Sequence, residues 1–215
     1  WSELIAHDLP PSFDALKAAA REVGSVQIQN AATVAGNLCN ASPAADGVPP
    51  LLVLDASVEI AARAGRRRVP LGAFVRGNRE TALAPDEMVV ALVVPRAATA
   101  GSSGFVKLGA RRYLVISIAM AAARVALAED GTIDEIALAL GACSPVARRM
   151  TTLEKALRGR RPDAALHFGP DQLVELSPID DVRASAAYRR EAAAEILRRA
   201  IRQACDDGAG KEKAA

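Results

Sequence analysis

Aromatic residues are scarce in this sequence, where four Phe, two Tyr and one Trp supply 3% of 215 residues. Hydrophobic residues still reach 51%, much of it alanine, so the interior must be tiled with small aliphatic side chains, and such a core leaves room for an embedded flat ligand. Cysteine is sparse as well. Cys39, Cys143 and Cys205 are an odd number, at spacings that match neither a disulfide framework nor a metal or iron–sulfur motif, which favours reduced thiols in the cytoplasm. His7 and His167 stand far apart without ligand-like neighbours, so neither a metal site nor a catalytic triad is expected. Long apolar runs are missing: Pro49 to Ala56 and Met88 to Pro95 are far shorter than a membrane-spanning helix requires. Charge of one sign is missing too, with 27 basic and 25 acidic residues interspersed, and nothing in that balance asks for nucleic acid. The sequence opens on Trp1 with no initiator methionine or signal-like segment, so an upstream segment is expected.

What is present reads as α+β. Phe13, Leu16, Ala19, Ala20 and Val23 have the spacing of an amphipathic helix over Ser12 to Val23, ended by Gly24. Pro50 to Ala56 suits a buried helix or strand. Val58 to Ala62, Arg66 to Val69 and Met88 to Val94 read as strands of one small sheet, with Arg66-Arg67-Arg68 as a solvated turn or strand end. Pro95 to Gly104 is the best linker, and it divides the chain into a first domain over 1–98, a second over 99–206 and a flexible tail over 207–215. Ser117 to Ala128 and Ile133 to Ala142 flank an Asp-Gly turn signal and suggest a hairpin, although the first run is rich enough in alanine to be helix. A docked C-terminal helix follows from the spacing of Ala193, Ile196, Leu197, Ala200, Ile201 and Ala204.

The unusual segment is Gln27 to Asp55, QIQNAATVAGNLCNASPAADGVPPLLVLD. It places small or amide-bearing residues where a plain core would place large aliphatics, so backbone can approach a ligand. Diphosphates are held largely by backbone N–H groups, and Ala35, Gly36 and Asn37 keep such groups unobstructed. An isolated Ala-Gly-Asn would otherwise be an ordinary surface turn.

Asn30, Ala32, Thr33, Val34, Gly36, Asn37, Ser42, Pro43 and Asp46 fall in register with R-N-x-A-T-I-G-G-N…S-P-x-x-D, the second flavin segment of the FAD subunits of molybdenum hydroxylases of the xanthine dehydrogenase and carbon monoxide dehydrogenase type. The sequence resembles that family from about Ser12 to Ala204, departing from it at Gln29 and Ala35. Past the linker, Gly104 to Arg112 resembles the F-x-K-x-x-x-R-R entry to the family's C-terminal domain. Gly141 to Pro145 and Ser177 to Arg190 resemble hallmarks of the same domain. In that last stretch Asp180 and Asp181, beside Arg183, Arg189 and Arg190, suit an ion-pair network at the start of the final helix.

The resemblance implies a fold: a partial FAD-binding domain of the molybdenum hydroxylase flavoprotein type, then a small sheet-and-helix C-terminal domain. It implies FAD against Ile28, Ala32, Thr33, Val34, Ala35, Gly36, Asn37, Cys39, Asn40, Ala45 and Asp46, with Asp46 accepting from ribose or ribitol hydroxyls. Val89 would pack against the flavin ring and Lys107 would lie near it, where a cation stabilises the anionic reduced ring. The family's earlier half-domain, with a first Gly-rich flavin loop, has no counterpart here, so this chain is expected to hold FAD weakly or not at all by itself. No catalytic residue and no metal ligand is expected on the chain. Molybdenum cofactor and 2Fe–2S clusters would belong to partner subunits, a large molybdenum-binding one and a small iron–sulfur one. Electrons would pass through FAD to an acceptor such as NAD, oxygen or quinone. The competing readings are a stand-alone FAD oxidoreductase, for which no proton donor suggests itself, and an assembly module without flavin.

Overall fold

A computed structural model of the protein describes the backbone of residues 1–212 and side chains through Asp206. Five short helices come first: α1 (Ser2–Ala6), α2 (Asp14–Glu22), α3 (Val26–Ala31), α4 (Val34–Asn40) and α5 (Val48–Val53). The α2 helix buries Ala15, Leu16, Ala19 and Ala20 on one face, as its spacing predicts. Past its end Gly24 adopts φ +54°, and a Cβ there would lie 2.7 Å from the Ile28 side chain, so both conformation and space call for glycine. The α5 helix is wholly buried, and Pro49 and Pro50 sit in its first turn, where a missing N–H costs nothing.

The first sheet joins β1 (Ser57–Ala62), β2 (Gly65–Pro70) and β5 (Met88–Val93) in the antiparallel order β2-β1-β5. Between β2 and β5 lie α6 (Leu71–Phe74) and a small ribbon of β3 (Val75–Gly77) and β4 (Glu80–Thr81). The three consecutive arginines belong to β2, where Arg66 and Arg68 pair with Glu59, and Arg67 with Glu87.

The second lobe is a four-stranded antiparallel sheet of β6 (Ser102–Leu108), β7 (Ala119–Leu127), β8 (Ile133–Gly141) and β9 (Arg148–Arg149), followed by α7 (Thr151–Leu157) and α8 (Ala186–Glu212). The stretch read as a linker holds a helical turn at Arg96–Thr99, and β6 begins within it. The alanine-rich run has the propensity of a helix, yet it forms the central strand β7. Both faces of that strand are covered: Ala119, Ala121, Ala123 and Val125 pack in the core under α8, while Met120 and Ala122 belong to the core of the first lobe. Small side chains let the layers close tightly. A Cβ at Gly104 would lie 2.5 Å from the Ala200 carbonyl of α8, so only glycine fits where β6 meets that helix.

The seam between lobes is closed around α5. Two guanidinium groups of the second sheet reach its C-terminal carbonyls: Arg124 donates to Val53 O at 3.0 Å, and Arg149 to Leu52 O at 2.9 Å. These are carbonyls that a helix end leaves without an intrahelical partner. At the start of α8, Asp180 accepts from the Ala186 N–H at 2.5 Å, Ser185 Oγ accepts from the Tyr188 N–H at 3.2 Å, and Asp181 pairs with Arg183 and Arg189. Acids thus gather at the positive end of the helix. Arg190 instead donates to the carbonyls of Leu173 and Leu176. Of the tail expected over 207–215, the backbone to Glu212 continues α8, and 213–215 lie outside the described residues. Among the described residues no helix is long and apolar enough to cross a membrane.

Candidate functional site

The segment expected to be an open loop is largely helical. Thr33 caps α4, its Oγ1 accepting from the Gly36 N–H at 2.9 Å, and its cap role suits a hydroxyl residue ahead of a run containing Ala35 and Leu38. Ala41, at φ +47°, ends the helix in the left-handed conformation. Neither Ala35 nor Gly36 has a positive φ, so alanine fits at position 35 without strain. Glycine at 36 matters for space instead, because a Cβ there would meet Thr33 Oγ1 at 3.0 Å. Asn37 faces back from α4, and its Oδ1 accepts from the Gly47 N–H at 3.3 Å, which ties the helix to the turn that carries Asp46.

That turn brings together two residues that the sequence keeps far apart. Lys107 Nζ, on β6, donates to Asp46 Oδ2 at 2.6 Å. Ser117 Oγ, at the entry to β7, donates to Asp46 Oδ1 at 2.8 Å. The side chains of Lys107 and Asp46 are only 8% and 10% exposed, and Ser117 is fully buried. Burial pushes the Asp46 carboxyl above its ordinary value, and Lys107 and Ser117 pull against that rise. An ammonium carries three N–H donors, and Asp46 is the single protein acceptor that Lys107 meets among the described residues. Donors therefore remain for a ligand.

Asp46, Lys107 and Asn37 line one cavity of about 280 Å³, whose other walls come from the end of α2 and from Leu114, Val115 and Ile116. Leu114 and Ile116 are 57% and 62% exposed, an apolar rim beside a buried ion pair. A second hollow of about 490 Å³ runs between α1 and the α3–α4 junction, with Ala32, Thr33 and Val34 in its wall. The remaining expected residues are spread around these two. Ile28 is half exposed, next to Gly24 in the wall of the first cavity. Ala35 and the exposed Gly36 lie on α4, and Cys39 and Asn40 occupy its exposed last turn, where Asn40 accepts from Arg79. Ala45 is buried beneath the Asp46 turn. Val89 pairs with Ile60 across β1 and β5 and packs against the first core.

Two features were not visible in the sequence. Asp46, expected to accept from flavin hydroxyls, already has each oxygen engaged by a protein donor, and Lys107, expected near the flavin ring, is paired with it. Ser117 was not singled out. Its signal was a lone hydroxyl between Ile116 and Ile118 in an apolar run, since a buried polar group requires a partner.

The set fits FAD: Lys107 keeps donors for an electron-rich or anionic group, and the exposed aliphatics of 114–116 offer a surface for a flat ring. Residues 1–97 match the family model described as the FAD binding domain in molybdopterin dehydrogenase. Residues 105–204 match that of the CO dehydrogenase flavoprotein C-terminal domain. The chain is 32% identical over 205 residues to the xanthine dehydrogenase FAD-binding subunit of Escherichia coli O157:H7, covering 92% of this chain and 68% of that one. To the nicotine 6-hydroxylase medium subunit of Paenarthrobacter nicotinovorans it is 28% identical over 208 residues, covering 94% and 70%. Among solved structures, the reconstituted CO dehydrogenase from Oligotropha carboxidovorans superimposes with a TM-score of 0.82 at 26% identity, over 95% of this chain and 72% of that one. Two lobes that match successive family models of one flavoprotein architecture, together with the xanthine dehydrogenase FAD-binding subunit aligned over more than two thirds of its length, place the chain in the family of FAD-binding medium subunits of the molybdenum hydroxylases.

Proposed function

We propose that this chain is the electron-exit station of a molybdenum hydroxylase complex, in which FAD receives electrons from the iron–sulfur clusters of a small subunit and delivers them to an external acceptor such as NAD, oxygen or quinone. The oxidation or hydroxylation of substrate would belong to a large, molybdenum-binding subunit, and the complex would work in the cytoplasm. FAD, when bound, supplies a centre that takes up and releases electrons singly or in pairs.

The observation that carries this reading is the Asp46–Lys107 pair with its spare ammonium donors in a cavity rimmed by Leu114 and Ile116. Lys107 would hold the ring electrostatically, favouring the negative charge that reduction brings. Asp46 would keep that ammonium in place and moderate its charge. Thr33, Gly36 and the neighbouring surface of α4 would receive the rest of the cofactor, and the apolar 114–116 segment would exclude water from one side of it.

The test is flavin content. Extended at its N-terminus by the family's first flavin half-domain and produced together with its large and small subunits, the chain should carry close to one FAD. Gly36→Val, which pushes a branched side chain against Thr33 Oγ1 and out over the surface of α4, should remove it. A correctly folded and assembled Gly36→Val complex with undiminished FAD would overturn the assignment.

A further inference from the structure

Ser117 occupies a rigid position. The 109–117 excursion returns to the sheet at this residue, and the next one, Ile118, is clamped on both sides. Its N–H donates to Leu108 O at 2.8 Å, and its carbonyl accepts from the buried Arg189 at 2.7 Å. The Ser117 hydroxyl is therefore presented from a fixed backbone, and its partner is Asp46 Oδ1, 71 positions away in sequence, in the other lobe.

We infer that Ser117 is a positioning residue for Lys107, acting through Asp46: its hydroxyl holds one carboxylate oxygen, so the other takes a single ammonium hydrogen and leaves the rest of the ammonium to the cavity. The inference rests on reading that cavity as part of the FAD site.

The physical reason lies in how a carboxylate divides its two oxygens. Anchored at Oδ1, Asp46 offers Lys107 only Oδ2, at 2.6 Å. Without the anchor the carboxylate can turn and offer both oxygens, drawing the ammonium inward and engaging a second N–H. Loss of the hydroxyl also removes one of the interactions that stabilise the ionised carboxylate against burial. The other titratable group in the cavity wall is Glu22 from α2. Arg111 on the excursion is exposed and donates to the carbonyls of Tyr113 and Leu114.

The experiment compares Ser117→Ala, Ser117→Cys and Ser117→Thr. In the full chain, the side-chain carboxyl carbon of Asp46 is titrated by NMR, with the amide spectrum as the check on folding. The midpoint should rise by about one pH unit in Ser117→Ala, rise similarly in Ser117→Cys, whose thiol is a weak donor, and return in Ser117→Thr. In the assembled complex, FAD affinity should fall about tenfold in Ser117→Ala and Ser117→Cys and stay within about twofold in Ser117→Thr. An unmoved Asp46 midpoint in folded Ser117→Cys or Ser117→Ala overturns the inference. So does a moved midpoint with unchanged FAD affinity, provided Lys107→Met does weaken FAD. If Lys107→Met and Gly36→Val also leave FAD untouched, the FAD reading itself has failed, and the inference with it.

Discussion

Two ion clusters cross the same seam between the lobes, and they use their donors differently. At one end Arg149 grips Glu154 with Nε and Nη2, and Leu52 O and Asp55 with Nη1. Arg124 beside it reaches Val53 O, Ala100 O and Glu135. At the other end Lys107 makes one protein bond among the described residues, to Asp46. A guanidinium with nearly all its donors committed to helix-end carbonyls and carboxylates is a clamp. An ammonium held by a single bond is an open valence beside a cavity. Burial alone does not separate a structural pair from a ligand-facing one; the count of donors left over does.

Removing each cation should expose that difference. Arg149→Met strips Glu154, which is 12% exposed, of its cation and removes the guanidinium bond to Leu52 O, which keeps only backbone donors. The expected loss is about 4 kcal/mol of unfolding free energy, measured by urea denaturation, with the FAD content of the surviving folded complex unchanged. Loss of FAD together with stability would erase the distinction between the two clusters.

Lys107→Met should cost about 3 kcal/mol near neutral pH and should lower FAD affinity as well. Its stability deficit carries a pH signature. Burial already raises the Asp46 carboxyl, and without Lys107 it rises further. A carboxyl whose folded pKa lies above its unfolded value contributes stability that is present below the ordinary carboxylate range and is lost as pH climbs through the folded value. The deficit relative to the unaltered chain should therefore shrink in mild acid and grow toward neutral pH. Denaturation at pH 5 and pH 8 checks the sign, and a deficit independent of pH would show that Asp46 does not carry the charge left behind.

The smallest effect is expected at Asp55, 52% exposed, whose bond to Arg149 is backed by Glu154 and Leu52 O. Asp55→Asn should cost no more than about 0.5 kcal/mol. A loss comparable to that of Arg149→Met would mean that Asp55, and not Glu154, anchors the clamp.

Much of the architecture was legible in the residues. The α2 stripe, the β1, β2 and β5 strands and the Asp130-Gly131 hairpin obey local rules, because period and turn chemistry act over a few residues at a time. Where local rules were ambiguous, they misled or left choices open. Gln27 to Asp46 looked aperiodic because α3 and α4 span six and seven residues, too few for a repeating stripe to show. The alanine run of β7 carried a helix propensity that burial on both faces overrode.

The candidate site divides in the same way. Asp46 and Lys107 were each picked out through their family motifs, but nothing within either motif says that they touch. Ser117 belonged to no motif, and its importance depends on where the sheet begins. By itself, then, the sequence determined the α2 stripe, the strands of the first sheet and the family to which the small-residue segment belongs, since these follow from neighbours in the chain and from motif spacing. Only the tertiary structure decided that Asp46 spends its two oxygens on Lys107 and Ser117, 61 and 71 positions away. A charge buried in a low-dielectric seam must find its partners in space, and sequence distance does not constrain which ones it finds.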